Sequence, residues 1–340
     1  MHTIGARRAA RWYRRSVRHA GRGLLAWVLL LCAGCGSAPE PPLRVGINPW
    51  PGYAFAFLAR DLGYFAQAGL AVRLVEFSSL PDARRAFERG QLDGFFGTPV
   101  EALLADARSP HLPRIAAVVD TSTGGDVILA RPGISQVSDL RGRRVGLEPD
   151  SVNVDVLGVA LARAGVRLDE ITLVPGPQQG LAALLATDAV DAVVTYSPIR
   201  QQLDARFALT PIFDTRALPR AVPDLLMFSP RTPPARVAAF TRAYWQAVAY
   251  HAREPADAHA RMAGALGVTP REIAAQLAGE IRILAATDQP ALLSDPDFLP
   301  PILTRCAAML QAIGEITRRY TPAELRALVG APPAFADATP

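Results

Sequence analysis

The chain has 340 residues, half of them hydrophobic, enough for a two-lobed molecule with a sizeable core. Its formal charge of +5 is misleading: seven arginines (Arg7, Arg8, Arg11, Arg14, Arg15, Arg18, Arg22) crowd residues 1–34, where no acidic residue stands. The remainder is slightly acidic, so a basic nucleic-acid surface is not suggested, and the chain holds no lysine, which excludes a Schiff-base cofactor.

The first element is an export signal over residues 1–34, an arginine-rich stretch followed by the apolar run Leu24–Leu31. The run is too short to cross a bilayer, which takes roughly 20 apolar residues. It closes on Leu31-Cys32-Ala33-Gly34-Cys35, which resembles a bacterial lipobox with Cys35 as the lipidated residue. An ordinary secretory cut near Gly34 or Ala38 is the alternative. Residues 35–42 then read as a short proline-rich tether.

From Leu43 the pattern alternates. Strands are expected at Leu43–Ile47, Val72–Phe77 and Gly94–Phe96, with helices at Phe55–Phe65 and Asp82–Arg89 between them. Thr98-Pro99 with Glu101 carries the signature of a capped helix start. Strands follow at Ile115–Val119, Val127–Ala130, Arg144–Leu147, Ile171–Val174 and Ala192–Thr195, with helices at Ser151–Ala164 and Leu181–Ala186. Ser197-Pro198 is expected to open a helix as Thr98-Pro99 does. Pro219–Ser229 reads as a connection and a returning strand, Pro233 to about Leu328 as helices, and residues 331–340 as a flexible tail.

Strands separated by helices imply a largely parallel sheet with helices on its faces, and ligands in such sheets sit beyond the strands' carboxyl ends. One phrase occurs twice: "LDGFFGTPVEALL" from Leu92 and "VDAVVTYSPIRQQL" from Val190. Each puts an Asp before an apolar strand, then a polar turn, a proline and a helix start. The repetition predicts two similar lobes whose matching strand ends line the gap between them, offering free helix-start N–H groups to a ligand.

Four stretches, in order, carry a family likeness: "VGINPWPGYAFAFLARDLGYF", "RGQLDGFFGTPVEAL", "DTSTGGDVILARPGISQVSDLRGRRVGLEPDS" and "DAVVTYSP". Together they resemble the solute-binding proteins of bacterial ABC importers for nitrate, taurine, aliphatic sulfonates and thiamine precursors. The resemblance covers about Leu43 to Gly264. It implies an α/β, two-lobed periplasmic-binding-protein type II fold with two parallel-rich sheets, flanking helices, crossing strands as a hinge, and a central cleft. The lobes would be residues 43–126 with 216–330, and 127–215.

On the matching turns the resemblance nominates ligand-binding residues. Trp50 and Tyr53 can stack on a flat or apolar solute. Thr98 offers a hydroxyl, even while capping its helix. Ser122 and Asp126 flank the crossing, where Gly124 and Gly125 suit close backbone approach. Ser151 starts a second-lobe helix, and Tyr196 can close the pocket from the opposite lobe. Trp245 is read as core. No arginine stands in these turns, although Arg200 is one helical turn away. Aromatic and acidic side chains favour a small organic, heteroaromatic or amine-bearing solute over an inorganic anion.

The cysteines are Cys32, Cys35 and Cys306, and His111, His251 and His259 show no recognisable metal-ligand spacing. Neither a metal nor a cofactor is expected. The function implied is non-catalytic: an exported, lipid-anchored monomer on the periplasmic or cell-surface side, handing a small-molecule solute to an ABC permease. A sensor or accessory lipoprotein of the same fold is the alternative. A thiamine-pyrimidine-synthase-like enzyme is the remote one, since that family implies a cysteine-rich stretch and a cofactor lysine, both missing here.

Overall fold

The repeated phrase has a structural cause. In the first copy Asp93 takes the Arg44 backbone N–H at 2.8 Å and the guanidinium at 2.8 and 3.1 Å. In the second, Asp191 takes the Arg144 N–H at 2.8 Å and its guanidinium at 2.9 and 3.1 Å. Each Asp thus clamps the start of one strand to its parallel neighbour. The charge-assisted, forked geometry fixes register at two equivalent places.

The computed structural model describes residues 40–330 apart from 111 and 219. The signal, Cys35, most of the tether, His111 and the tail lie outside the described residues. Within them the strands are β1 (Leu43–Ile47), β2 (Val72–Glu76), β3 (Gly94–Gly97), β4 (Arg114–Ser122), β5 (Asp126–Ala130), β6 (Arg144–Leu147), β7 (Thr172–Pro175), β8 (Ala192–Tyr196), β9 (Thr210–Asp214), β10 (Pro223–Phe228) and β11 (Ile281–Ile283).

Two sheets result, ordered β11-β4-β10-β3-β1-β2 and β7-β6-β8-β5-β9. The first draws on both ends of the described chain and the second on its middle. Their pairing corrects the parallel-rich expectation. Only β1–β2 and β1–β3 in the first sheet, and β6–β7 and β6–β8 in the second, are parallel. The strands that pass between the sheets enter each one against the grain, so β5, β9 and β10 pair antiparallel, as do β4 and β11. β11 lies inside the stretch read as helical; three residues are too few for a periodic signal.

β3, β5, β8 and β10 are buried along their whole length, as strands covered on both faces must be. The helix expected over Phe55–Phe65 divides into Phe55–Asp61 and Tyr64–Gln67 because Gly63 sits at φ 74°, which a glycine tolerates. The helix Pro99–Arg108 starts as read, with a full capping box between Thr98 and Glu101. Ser197 does not repeat that device. Its helix begins at Ile199, and its hydroxyl is drawn to Glu280 instead.

Helix Pro234–Arg253 is fastened to the first sheet through Phe240. That ring stacks on Phe65 at 4.8 Å and meets Phe228 edge-on at 5.6 Å. Phe240→Ala is expected to lower unfolding stability by about 3–5 kcal/mol, read by urea denaturation, because these rings cannot collapse fully into the space.

Candidate functional site

β4 leaves the first sheet at Ser122 and enters the second as β5 at Asp126; the return runs from Asp214 to Pro223. The two crossings are pinned to each other. Ser122 Oγ and Thr215 Oγ1 are 2.7 Å apart, the Gly124 N–H donates to Thr215 Oγ1 at 2.8 Å, and the Ser122 N–H donates to the Val222 carbonyl at 2.9 Å. Gly125 lies against the Trp50 ring so closely that a Cβ would sit 2.5 Å from it. This glycine is required by close approach.

Beside the crossings, side chains from both sheets enclose a cavity. Asn48, Trp50 and Tyr53 come from the turn after β1, Leu80 from a helix start, and Thr98 from the end of β3. Asp126, Val152 and Tyr196 come from the second sheet and its first helix, and Val222 and Asp224 from the returning crossing. The enclosed volume is about 10 Å³, room for one water-sized sphere. Trp50 and Tyr196 meet edge-on across it at 6.2 Å.

Five of the nominated residues, Trp50, Tyr53, Thr98, Asp126 and Tyr196, therefore come together here. Ser122 and Ser151 do not line this cavity. Ser122 is the pin between the crossings. Ser151 is fully buried, its hydroxyl directed to the Glu148 carbonyl at 3.0 Å. The helix starts two residues later than expected, at Asn153, so Ser151 closes the preceding turn and Val152 faces the cavity. Arg200 reaches the Gly124 carbonyl at 2.8 Å rather than the cavity, and Trp245 is core. Asn48 and Asp224 were missed. Asn48 stands beyond β1, where the strand-end rule could have found it. Asp224 carries no local signal, because only the antiparallel register brings it opposite Asp120.

The cavity floor is acidic, and burial holds its carboxyl groups above the usual carboxylate range. Asp120 and Asp224 lie within hydrogen-bonding reach of each other. Burial and this like-charged neighbour push the Asp224 carboxyl well up, and burial raises Asp120. The Tyr53 hydroxyl donates to Asp224, and Trp50 Nε1–H donates to Asp120 at 3.3 Å. Burial also raises Asp126 to about 7 and Glu101 to about 7. Glu148 rises to about 8, through burial and then Asp150.

Several buried polar atoms here have no partner, including Asn48 Oδ1 and the Tyr196 hydroxyl, both on the cavity wall. The Leu80 amide lies near that hydroxyl without the geometry of a hydrogen bond. Among the described residues no arginine or histidine lines the space. Chemically it offers acceptors, the Tyr196 O–H as a donor, and aromatic faces.

Polar contacts brace the two sheets on either side of the cavity. Asp150 accepts from Arg84 at 2.6 Å and Arg85 at 2.9 Å; on the other flank Ser197 and Gln201 donate to Glu280.

The family profile described as NMT1/THI5 like matches residues 50–258. The chain belongs to this family. A Brucella abortus relative, whose name provisionally makes it a binding protein, is 26% identical over 165 residues, covering 48% of this chain and 50% of its own. The 4-amino-5-hydroxymethyl-2-methylpyrimidine phosphate synthase of Aspergillus parasiticus is 31% identical over 97 residues, 28% of each chain. The chain thus spans about half, or less, of the length of the curated relatives it matches.

Among solved structures, the alkanesulfonate-binding protein SsuA of Xanthomonas axonopodis pv. citri, bound to MOPS, superposes with a TM-score of 0.68 at 19% identity, over 85% of this chain and 99% of that one. A Candida albicans protein with the generic periplasmic binding protein fold gives 0.67 at 14% identity, over 86% and 97%. The fold is that of the periplasmic binding proteins.

Two outcomes follow from these buried polar groups. Asp126 keeps its proton to about pH 7 when folded but loses it near pH 4 when unfolded, so the folded state binds more protons in that window and stability falls as pH rises through it. Thermal unfolding between pH 4 and 8 should show a shallower fall in Asp126→Asn than in the parent. Tyr196→Phe removes a buried hydroxyl without a partner and should raise stability by about 1 kcal/mol, measured by urea denaturation.

Proposed function

We propose that the protein is the solute receptor of an ABC importer, an exported lipoprotein anchored at Cys35 that captures a small organic molecule and delivers it to a membrane permease. Its lobes are residues 43–126 with 216–330, and 127–215. They part and close about the pinned crossings, and the closed form is favoured by the solute's higher affinity for it. Family membership and the named binding protein among the relatives support this reading.

The solute is flat or apolar in part and carries hydrogen-bond donors, as an amine or an amino-substituted heteroaromatic ring does. One observation carries this: the cavity wall presents two carboxyl groups and an unpartnered amide oxygen, with no arginine among the described lining residues. A sulfonate or nitrate ion needs cationic or N–H donors and is repelled by carboxylates, so the ligand of the structural neighbour SsuA does not suit this wall. A donor-bearing ligand satisfies Asn48 Oδ1 and Asp126, and Trp50 and Tyr196 supply its aromatic walls.

The synthase-like reading is disfavoured by two features. The chain has no lysine to hold a Schiff-base cofactor. Its described free cysteine, Cys306, is buried in helix Leu299–Ala312 with its thiol pushed up by burial, away from the cavity.

The test is thermal unfolding against alkanesulfonates, nitrate, bicarbonate, pyrimidines, amines and amino acids. A ligand at 100 times its dissociation constant adds about 2.7 kcal/mol. Stabilisation by amines or aminopyrimidines, abolished in Trp50→Ala and Tyr196→Ala, is the expected result. Stabilisation by sulfonates alone overturns the ligand class, and turnover of a stabilising solute overturns the receptor.

A further inference from the structure

Two histidines outside the cavity meet across a helix junction. His251 lies near the end of helix Pro234–Arg253, and His259 lies in helix Pro255–Leu266. Their Nε2 atoms are 3.0 Å apart, with ring centroids 5.0 Å apart and planes inclined at 50°. The Phe55 ring meets His251 edge-on at 5.4 Å and holds it in place. Both imidazoles are half-buried, so the pair keeps an open side to solvent. The nearby charges are already committed: Asp257 takes hydrogen bonds from Tyr250 at 2.7 Å and from Arg261 at 2.6 Å.

Burial disfavours the charged form of both rings, and for His251 the neighbouring His259 adds to the effect. Two neutral imidazoles in this position share one N–H···N hydrogen bond. The same two nitrogens form a chelate once the donor ring moves its proton from Nε2 to Nδ1, a tautomeric change that releases no proton to solvent.

The spacing suits one coordination geometry best. An ion about 2.0–2.1 Å from both nitrogens subtends about 95° between them, whereas a tetrahedral angle would need them about 3.3 Å apart. A right angle between nitrogen ligands is the geometry of square-planar or tetragonal copper(II) and nickel(II), and copper(II) binds nitrogen most tightly among the divalent first-row ions. Among the described residues no third His, Cys, Asp or Glu joins the pair, so water completes the coordination sphere.

We propose that His251 and His259 form a two-nitrogen chelating site for a divalent copper- or nickel-type ion, tying helix Pro234–Arg253 to helix Pro255–Leu266. The site is separate from the solute cavity and does not rest on the importer reading.

The probe is copper(II) added to untagged protein in which His2, His19 and His111 are replaced by Gln, leaving this pair as the chain's remaining imidazoles. Electron paramagnetic resonance should show one copper(II) per chain coupled to two imidazole nitrogens. Adding His251→Gln or His259→Gln should weaken it by at least about tenfold, since even outer-shell partners of a ligand are worth that much. Copper(II) should raise the melting temperature of the protein with the pair intact. Absence of saturable binding, or a spectrum without two imidazole nitrogens, overturns the site. The spectrum with the pair intact decides the question even where a single variant folds poorly.

Discussion

The register of β10 against β4 places Asp224 directly opposite Asp120, and the cavity is built around that placement. Two carboxyl groups buried side by side cannot both ionise without a large electrostatic penalty, so the pair must keep a proton between them. Its remaining oxygens attract donors. Tyr53 and Trp50 supply them, so two large aromatic side chains from one short turn are buried in the core with their polar ends on this pair. Trp50 is then held from the other side by the glycine at position 125. Position, protonation and aromatic wall thus form one interlocked unit.

That unit sits beside the crossings about which the proposed lobes would move. A hinged protein needs crossing segments that absorb the backbone rotation together and contacts of modest strength across the gap, so that ligand affinity decides which state is populated. Ser122 and Thr215 couple the two crossing segments by joining them directly. The bracing contacts differ in kind. Glu280 with Ser197 and Gln201 is partly exposed and mostly neutral in its partners. Asp150 is paired with Arg84, whose side chain is fully buried and also held by Glu88. Removing Asp150 would leave that guanidinium with Glu88 alone, which makes the Arg84 flank the stronger of the two braces.

Sequence alone carried the repeated unit well. Strand, Asp clamp, turn and helix start form a local pattern with local causes, and the two copies differ mainly where Tyr196 is inserted. Thr98 and Asp126 were legible for the same reason, as each stands at a strand end beside a recognisable turn. Ser151 and Ser197 failed because a hydroxyl before a helix has several partners within reach: the local Glu148 carbonyl took the first, and the distant Glu280 took the second. Asp224 and β11 were invisible because their meaning is non-local register. The histidine pair escaped likewise: a spacing of eight residues matches no metal motif on a continuous helix, and the bend at Glu254 and Pro255 brings the rings together.

The fold explains how little of the ligand it dictates. Strand order and crossings fix where the cavity lies, at the carboxyl ends of β1, β3 and β8, the place where open α/β sheets hold ligands. They leave free which side chains stand at those ends. Here the ends carry Asn48, Thr98 and Tyr196, and the crossing adds Asp126 and Asp224. Thr98 is already spent on its capping box, so its hydroxyl gives an incoming solute little. Asn48 Oδ1 and the Asp126 carboxyl remain, so a solute that lacked donors would leave the buried amide oxygen unpaired on closure. Each such group costs about 1–3 kcal/mol. Under the proposed reading, selection against anions comes from the unpaired Asn48 oxygen and from carboxylate charge, and it weakens where the carboxyl groups are protonated, because a protonated carboxyl donates a hydrogen bond.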